Sequence, residues 1–118
     1  MKPYALVITG NLEQALRYQK ALGGIGFQVQ SVTTGAHAQV QLTFTSPNLI
    51  VLDMHLPDIP GAVVLRQIYA CRRLADSHLI LLSTHQNQLI EQERPAPLRV
   101  IDREISAADL ALLASEMS

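Results

Sequence analysis

Three stretches of the chain are apolar without interruption: Tyr4-Ala-Leu-Val-Ile8, Leu49-Ile-Val-Leu52 and Leu79-Ile-Leu-Leu82. Runs this short, with β-branched residues in each, read as strands buried on both faces, the pattern of a parallel sheet covered by helices on either side. Phe27-Gln-Val-Gln-Ser-Val32 alternates instead, and Leu98-Arg-Val-Ile-Asp102 does so in part. Alternation marks a strand with one wetter face, as at a sheet edge.

Helical patterns separate these strands. Asn11 is placed to cap a helix in which Leu12, Ala15, Leu16 and Leu22 make an apolar stripe, with Gly23 and Gly24 as its stop. From Gly61, the series Val64, Leu65, Ile68 and Cys71, interleaved with Arg66, Arg72 and Arg73, predicts an amphipathic helix ending near Ala75-Asp76-Ser77. Gln86 to Arg94 carries only Leu89 and Ile90 as large apolar residues before Pro95 and Pro97, so a helix there is short or irregular. Ser106, with Asp109 three residues on, resembles a capping box opening a last helix packed by Leu110, Leu113 and Met117.

Residues 36–44 fit two patterns. Ala36, Ala38, Val40, Leu42 and Phe44 alternate as a strand would, with Thr33-Thr34-Gly35 as a hairpin turn, while Ala36, Val40 and Phe44 also fit a helical stripe. Helix is the expectation, because the chain must cross over from an edge strand to a parallel strand at 49–53. Five strands alternating with five helices, three wholly apolar and two alternating, then predict an α/β doubly wound sheet of order 2-1-3-4-5, a flavodoxin-like three-layer sandwich with strands two and five at its edges.

At 118 residues, 48% of them hydrophobic, the chain makes one domain spanning 1–118. Nine basic and ten acidic residues are scattered, giving a net charge of −1 and no footprint for nucleic acid or an anionic membrane. The single Cys71 sits in an apolar helical pattern and reads as a packed, reduced thiol. With no signal-peptide pattern and no long apolar span at the start, a soluble, cytoplasmic protein is expected.

The chemistry points to Asp53. It ends a central strand, and ligands of open α/β sheets bind beyond the carboxyl ends of the strands. Pro57, Pro60 and Gly61 then force a tight connection into the next helix. The whole stretch from Leu49 to Gly61 resembles the acceptor segment of receiver domains from two-component response regulators, and the resemblance extends over essentially the whole chain. It implies a signalling domain that takes a phosphoryl group on Asp53 from a sensor histidine kinase or another signalling protein, without enzymatic activity of its own. Ser83 stands at the family's hydroxyl position and, with Arg103 at the position of its lysine, is the expected phosphate-binding pair. The alternative for Ser83 is a helix cap, and for Arg103 a solvated surface arginine.

The resemblance also exposes departures. Phosphoryl transfer onto a carboxylate calls for Mg²⁺, which the family holds with an acidic pair at the end of strand one; here those positions are Thr9 and Gly10. Asn11 and Glu13 do not match the ligand position, so weak or absent Mg²⁺ binding and no resident cofactor are expected. Glu104 replaces the family's proline, and Val100 its switch aromatic. Arg103 retains a charge able to pair with Asp53 in a forked geometry and close the site without phosphate. His55, Thr84 and His85 flank the pocket; the two histidines with Asp53 suggest a softer metal site or a pH-responsive cluster, against two exposed loop side chains. Asp58 reads as a turn-former.

The sequence reading is therefore a receiver-like domain with a degenerate site that acts through protein contacts, including a possible homodimer. A slow phosphoacceptor is the alternative, and a flavodoxin-like enzyme or small-ligand binder, lacking a glycine-rich phosphate loop, a third. Receivers are often joined after their last helix to an effector domain, and Glu116-Met-Ser118 is where such a linker would begin.

Overall fold

The structure, a computed structural model, describes residues 2–84 and 97–117. Strands β1 (Tyr4–Ile8), β2 (Gln28–Val32), β3 (Leu49–Asp53), β4 (His78–Ser83) and β5 (Leu98–Asp102) form a wholly parallel sheet in the order β2-β1-β3-β4-β5. The three apolar runs are its centre and the two alternating stretches its edges. Helices α1 (Leu12–Gly24), α2 (Gly35–Phe44), α3 (Gly61–Ala70) and α4 (Ala107–Met117) join and cover the strands. The helix expected within Gln86–Arg94 lies outside the described residues.

Successive strand side chains point to opposite faces, which gives the sheet two cores. Leu6, Ile8, Ile50, Leu52, Leu79 and Leu81 pack under α2 and α3 with Ala38, Leu42, Val64 and Ile68. Ala5, Val7, Val51, Ile80 and Leu82 pack under α1 and α4 with Tyr18, Leu22, Leu110, Ala114 and Met117. Burying each large aliphatic side chain contributes about 1.5–3 kcal/mol, so the central strands hold the domain together.

Residues 36–44 are helical, but the stripe read from the sequence faces outward. Ala36, Val40 and Phe44 are exposed, Phe44 by 79%, while Gly35, Ala38 and Leu42 are buried. In α1, likewise, Leu12 and Leu16 lie in solvent, and Ala15, Tyr18 and Leu22 make the buried face. A two-residue step turns a helix by roughly 200°, so Leu16 and Tyr18 cannot share a face, and the tyrosine ring carries more apolar area inward. Helix α1 ends at Gly24, as expected, with both glycines in its last turn, and the chain turns at Gly26, with φ of 107°. Helix α3 stops at Ala70, short of the expected end, and Arg72–Leu74 forms a 3₁₀ turn. Leu113 is only partly buried in α4, whose inner face adds Ala111 and Ala114.

One local cap and two from distant segments hold α2. Thr34 Oγ1 accepts the His37 N–H at 3.1 Å, and the Asp58 carboxylate accepts Gly35 N–H at 2.8 Å and Ala36 N–H at 3.0 Å. Asp58 is thus more than a turn-former: those two N–H groups hold its carboxyl pKa below the ordinary 3.8. At the other end Arg73 donates to the carbonyls of Leu42, Thr43 and Thr45 and to Ser46 Oγ.

Candidate functional site

Asp53, the last residue of β3, has no solvent exposure. Its Oδ1 accepts the backbone N–H of His55 at 2.9 Å, and its Oδ2 accepts Arg103 Nη2 at 3.0 Å. Thr9, buried just past β1, places Oγ1 3.3 Å from the same Oδ2. Asp53, Arg103 and Thr9 therefore come together. Of the two readings of Arg103, the structure shows the one directed at Asp53, through Nη2, with 31% of the side chain exposed. Hydrogen bonding to Asp53 raises the guanidinium pKa above its usual value, with burial opposing. Arg103 Nε is buried and makes no hydrogen bond among the described residues.

The loop after Asp53 lies close against the strand ends. Gly61 donates its N–H to the Met54 carbonyl at 3.0 Å, and a Cβ at Gly61 would meet Met54 Cα at 2.5 Å, so the turn after the acceptor strand has no room for a side chain there. Gly10 is crowded too: a Cβ there would sit 2.8 Å from Pro57 Cδ. Gly10, Asn11, His55, Leu56, Pro57 and Arg103, the partner of Asp53, line an open depression. Asn11 caps α1, accepting the Gln14 N–H at 3.0 Å, and Glu13 is turned to solvent beside Arg17 at 3.2 Å.

On the far side, β4 puts Leu82 opposite Asp53 and Ser83 opposite Asp102, with Ser83 buried. The ring of His55 reaches Thr84, Nε2 to Oγ1 3.3 Å. His85 lies outside the described residues, and so does any pairing of the two histidines. Val100 is half-buried against the α2/α3 core. Among the described residues no three His, Cys, Asp or Glu side chains converge as a metal would require. Thr9 brings a hydroxyl and no carboxylate to Asp53, and a side chain at Gly10 would crowd Pro57.

Two residues that the sequence reading passed over complete the site. Gln14 Nε2 donates to Tyr18 Oη at 2.8 Å and to the Arg103 carbonyl at 2.9 Å, and Tyr18 Oη donates to the Ile105 carbonyl at 2.7 Å. Thr9 Oγ1 lies 2.9 Å from Gln14 Oε1. Burial raises the Tyr18 pKa, the hydrogen bond from Gln14 opposing. The available signal was a tyrosine three residues after Ala15 and four before Leu22, the inward spacing of α1; a buried phenol needs a partner, and Gln14 one turn earlier supplies it.

No protein-family model and no curated protein sequence matches the chain. Solved structures match its fold over their whole lengths or nearly so. A CheY-like response regulator receiver domain from Methylobacillus flagellatus superposes with a TM-score of 0.80 at 20% identity, covering 100% of both chains. The signal receiver domain of a putative Luxo repressor protein from Vibrio parahaemolyticus gives 0.82 at 22% identity, covering 99% of this chain and 90% of that one. The chemotaxis response regulator CheY4 of Vibrio cholerae gives 0.84 at 10% identity, with full coverage of both. The fold is that of a receiver domain.

Proposed function

We propose that this chain is a receiver-like domain of two-component signal transduction whose phosphorylation site is degenerate and which acts through protein contacts. The observation that carries this reading is the Arg103 cation seated on Asp53 Oδ2 at 3.0 Å, where an incoming phosphoryl group would need its counter-charge. A fixed guanidinium neutralises the carboxylate without metal, but it also holds an oxygen that must attack, so the arrangement favours a closed resting state over transfer. On this reading the domain is not an enzyme, keeps no resident cofactor and works in the cytoplasm. No helix among the described residues is long and apolar enough to cross a membrane. Its partners are a sensor histidine kinase or another signalling protein, or a second copy of the chain; neither nucleic acid nor membrane is bound by this domain.

A second reading draws on the same pair. Because Arg103 keeps a positive charge beside Asp53, it can stand in for part of the metal's charge, making Asp53 a working but slow acceptor. Intact mass after incubation with phosphoramidate, with and without Mg²⁺, separates the two, with Asp53→Asn as control. Under conditions that label an ordinary receiver, the absence of an adduct supports the degenerate site. An adduct that needs Asp53 but not Mg²⁺ supports the slow acceptor, and one that needs both overturns the reading of the metal site.

A further inference from the structure

Arg103 is held by its backbone as well as by its side chain. It lies in the turn between β5 and α4, where Asp102 Oδ1 accepts the Glu104 N–H at 2.8 Å and the Asp102 carbonyl accepts the Ile105 N–H at 3.1 Å. These local bonds shape the turn but do not aim it at Asp53.

We propose that Gln14 and Tyr18 are positioning residues for the Asp53 site, through which α1 grips the Arg103 turn and sets how firmly the guanidinium covers the carboxylate. Gln14 Nε2 has two hydrogens and uses both, on Tyr18 Oη and on the Arg103 carbonyl. Tyr18 passes its own hydrogen to Ile105, two residues on. Two carbonyls of one turn are thereby tied to one face of α1. The other end of Gln14 reaches back to the acceptor: its Oε1 and Asp53 Oδ2 are both within reach of the Thr9 hydroxyl. That hydroxyl has one proton, so a bond given to Gln14 is withheld from Asp53. A path thus runs from Asp53 through the Arg103 side chain and carbonyl to Gln14 and Thr9, and it returns to Asp53 when the Thr9 proton is turned to the carboxylate.

Coupling along such a path acts in both directions. A load on α1 that moves Gln14 loosens Arg103, and loss of charge on Asp53 loosens the grip on the turn. The inference rests on the observed pair and stands whether or not Asp53 accepts a phosphoryl group.

The test is NMR of the Arg103 guanidinium N–H groups in the full chain, assigned by their loss in Arg103→Lys. The unmodified protein is expected to show slowly exchanging Arg103 signals that vanish in Asp53→Asn. Gln14→Met and Tyr18→Phe, which keep side-chain bulk, are expected to lose or broaden them while the amide fingerprint stays that of a folded domain; Arg17→Ala, on the exposed face of α1, is expected to leave them unchanged. Should Gln14→Met fail to fold, the isosteric Tyr18→Phe carries the test. Arg103 signals that survive intact in the folded variants, that are equally lost in Arg17→Ala, or that exchange fast in the unmodified protein would each overturn the proposal.

Discussion

Asp53 is sealed from solvent, whereas Arg103, its partner at 3.0 Å, keeps 31% of its side chain in water. The pair is therefore asymmetric. Freed by Asp53→Asn, Arg103 can turn outward and hydrate; left behind by Arg103→Ala, the carboxylate cannot. Arg103→Ala is expected to cost about 1–3 kcal/mol, below the full range for a broken buried pair because Arg103 is partly exposed, and Asp53→Asn markedly less. Urea denaturation of both single variants and the double variant measures this; equal costs would contradict the asymmetry.

Placing an acidic pair at positions 9 and 10 meets a steric obstacle. With Pro57 Cδ 2.8 Å from where a Gly10 Cβ would lie, Gly10→Asp is expected to destabilise by about 1–3 kcal/mol, as overpacking does. Adding Pro57→Ala should recover much of that loss. Titration of Mg²⁺ into the Thr9→Asp/Gly10→Asp variant, with and without Pro57→Ala, should show tighter binding only where the proline is gone.

The Asp58 carboxyl makes stability depend on pH in acid. Its pKa is lowered in the folded protein by the Gly35 and Ala36 N–H groups, so its contribution is complete above the unfolded value and is lost as pH falls through the lower folded one. Relative to Asp58→Asn, the unmodified protein should be more stable near neutrality, with the difference shrinking below pH 3.8. Urea midpoints of the two proteins across that range are the measurement; a difference independent of pH would rule out the capping role.

Arg73 was read as part of the polar side of α3 and instead closes α2. Arg73→Ala should cost about 1–2 kcal/mol, and Arg73→Lys nearly as much, because an ammonium cannot span several carbonyls as a planar fork does. Amide exchange localised to residues 41–45 would distinguish loss of this cap from general loosening.

The sheet was legible because burial on both faces leaves no choice: in Leu49–Leu52 and Leu79–Leu82 every position is apolar. The helical faces were harder. In α1 and α2, Leu12, Leu16, Val40 and Phe44 are apolar yet exposed, so residue type alone pointed to the wrong side. Asp53 is legible from the end of its strand, and Thr9 and Arg103 only through the resemblance to receiver domains. The spacing of Tyr18 with Ala15 and Leu22 marks it as inward, but the bond from Gln14 to a carbonyl 89 residues away leaves no local trace. Asp58 and Arg73 escaped for the same reason, as caps supplied by other segments.

Those two caps bear on the order in which the domain assembles. At 10 residues α2 is shorter than a helix that persists alone in water, and the side chains that finish its two ends, Asp58 and Arg73, both come later in the chain. During synthesis α2 is made before either of those two side chains. It becomes a secure helix only after β3, α3 and the 3₁₀ turn have followed it, so its ends are completed late in folding, and its first turn, held by Asp58, is the one loosened when the 54–60 loop is disturbed.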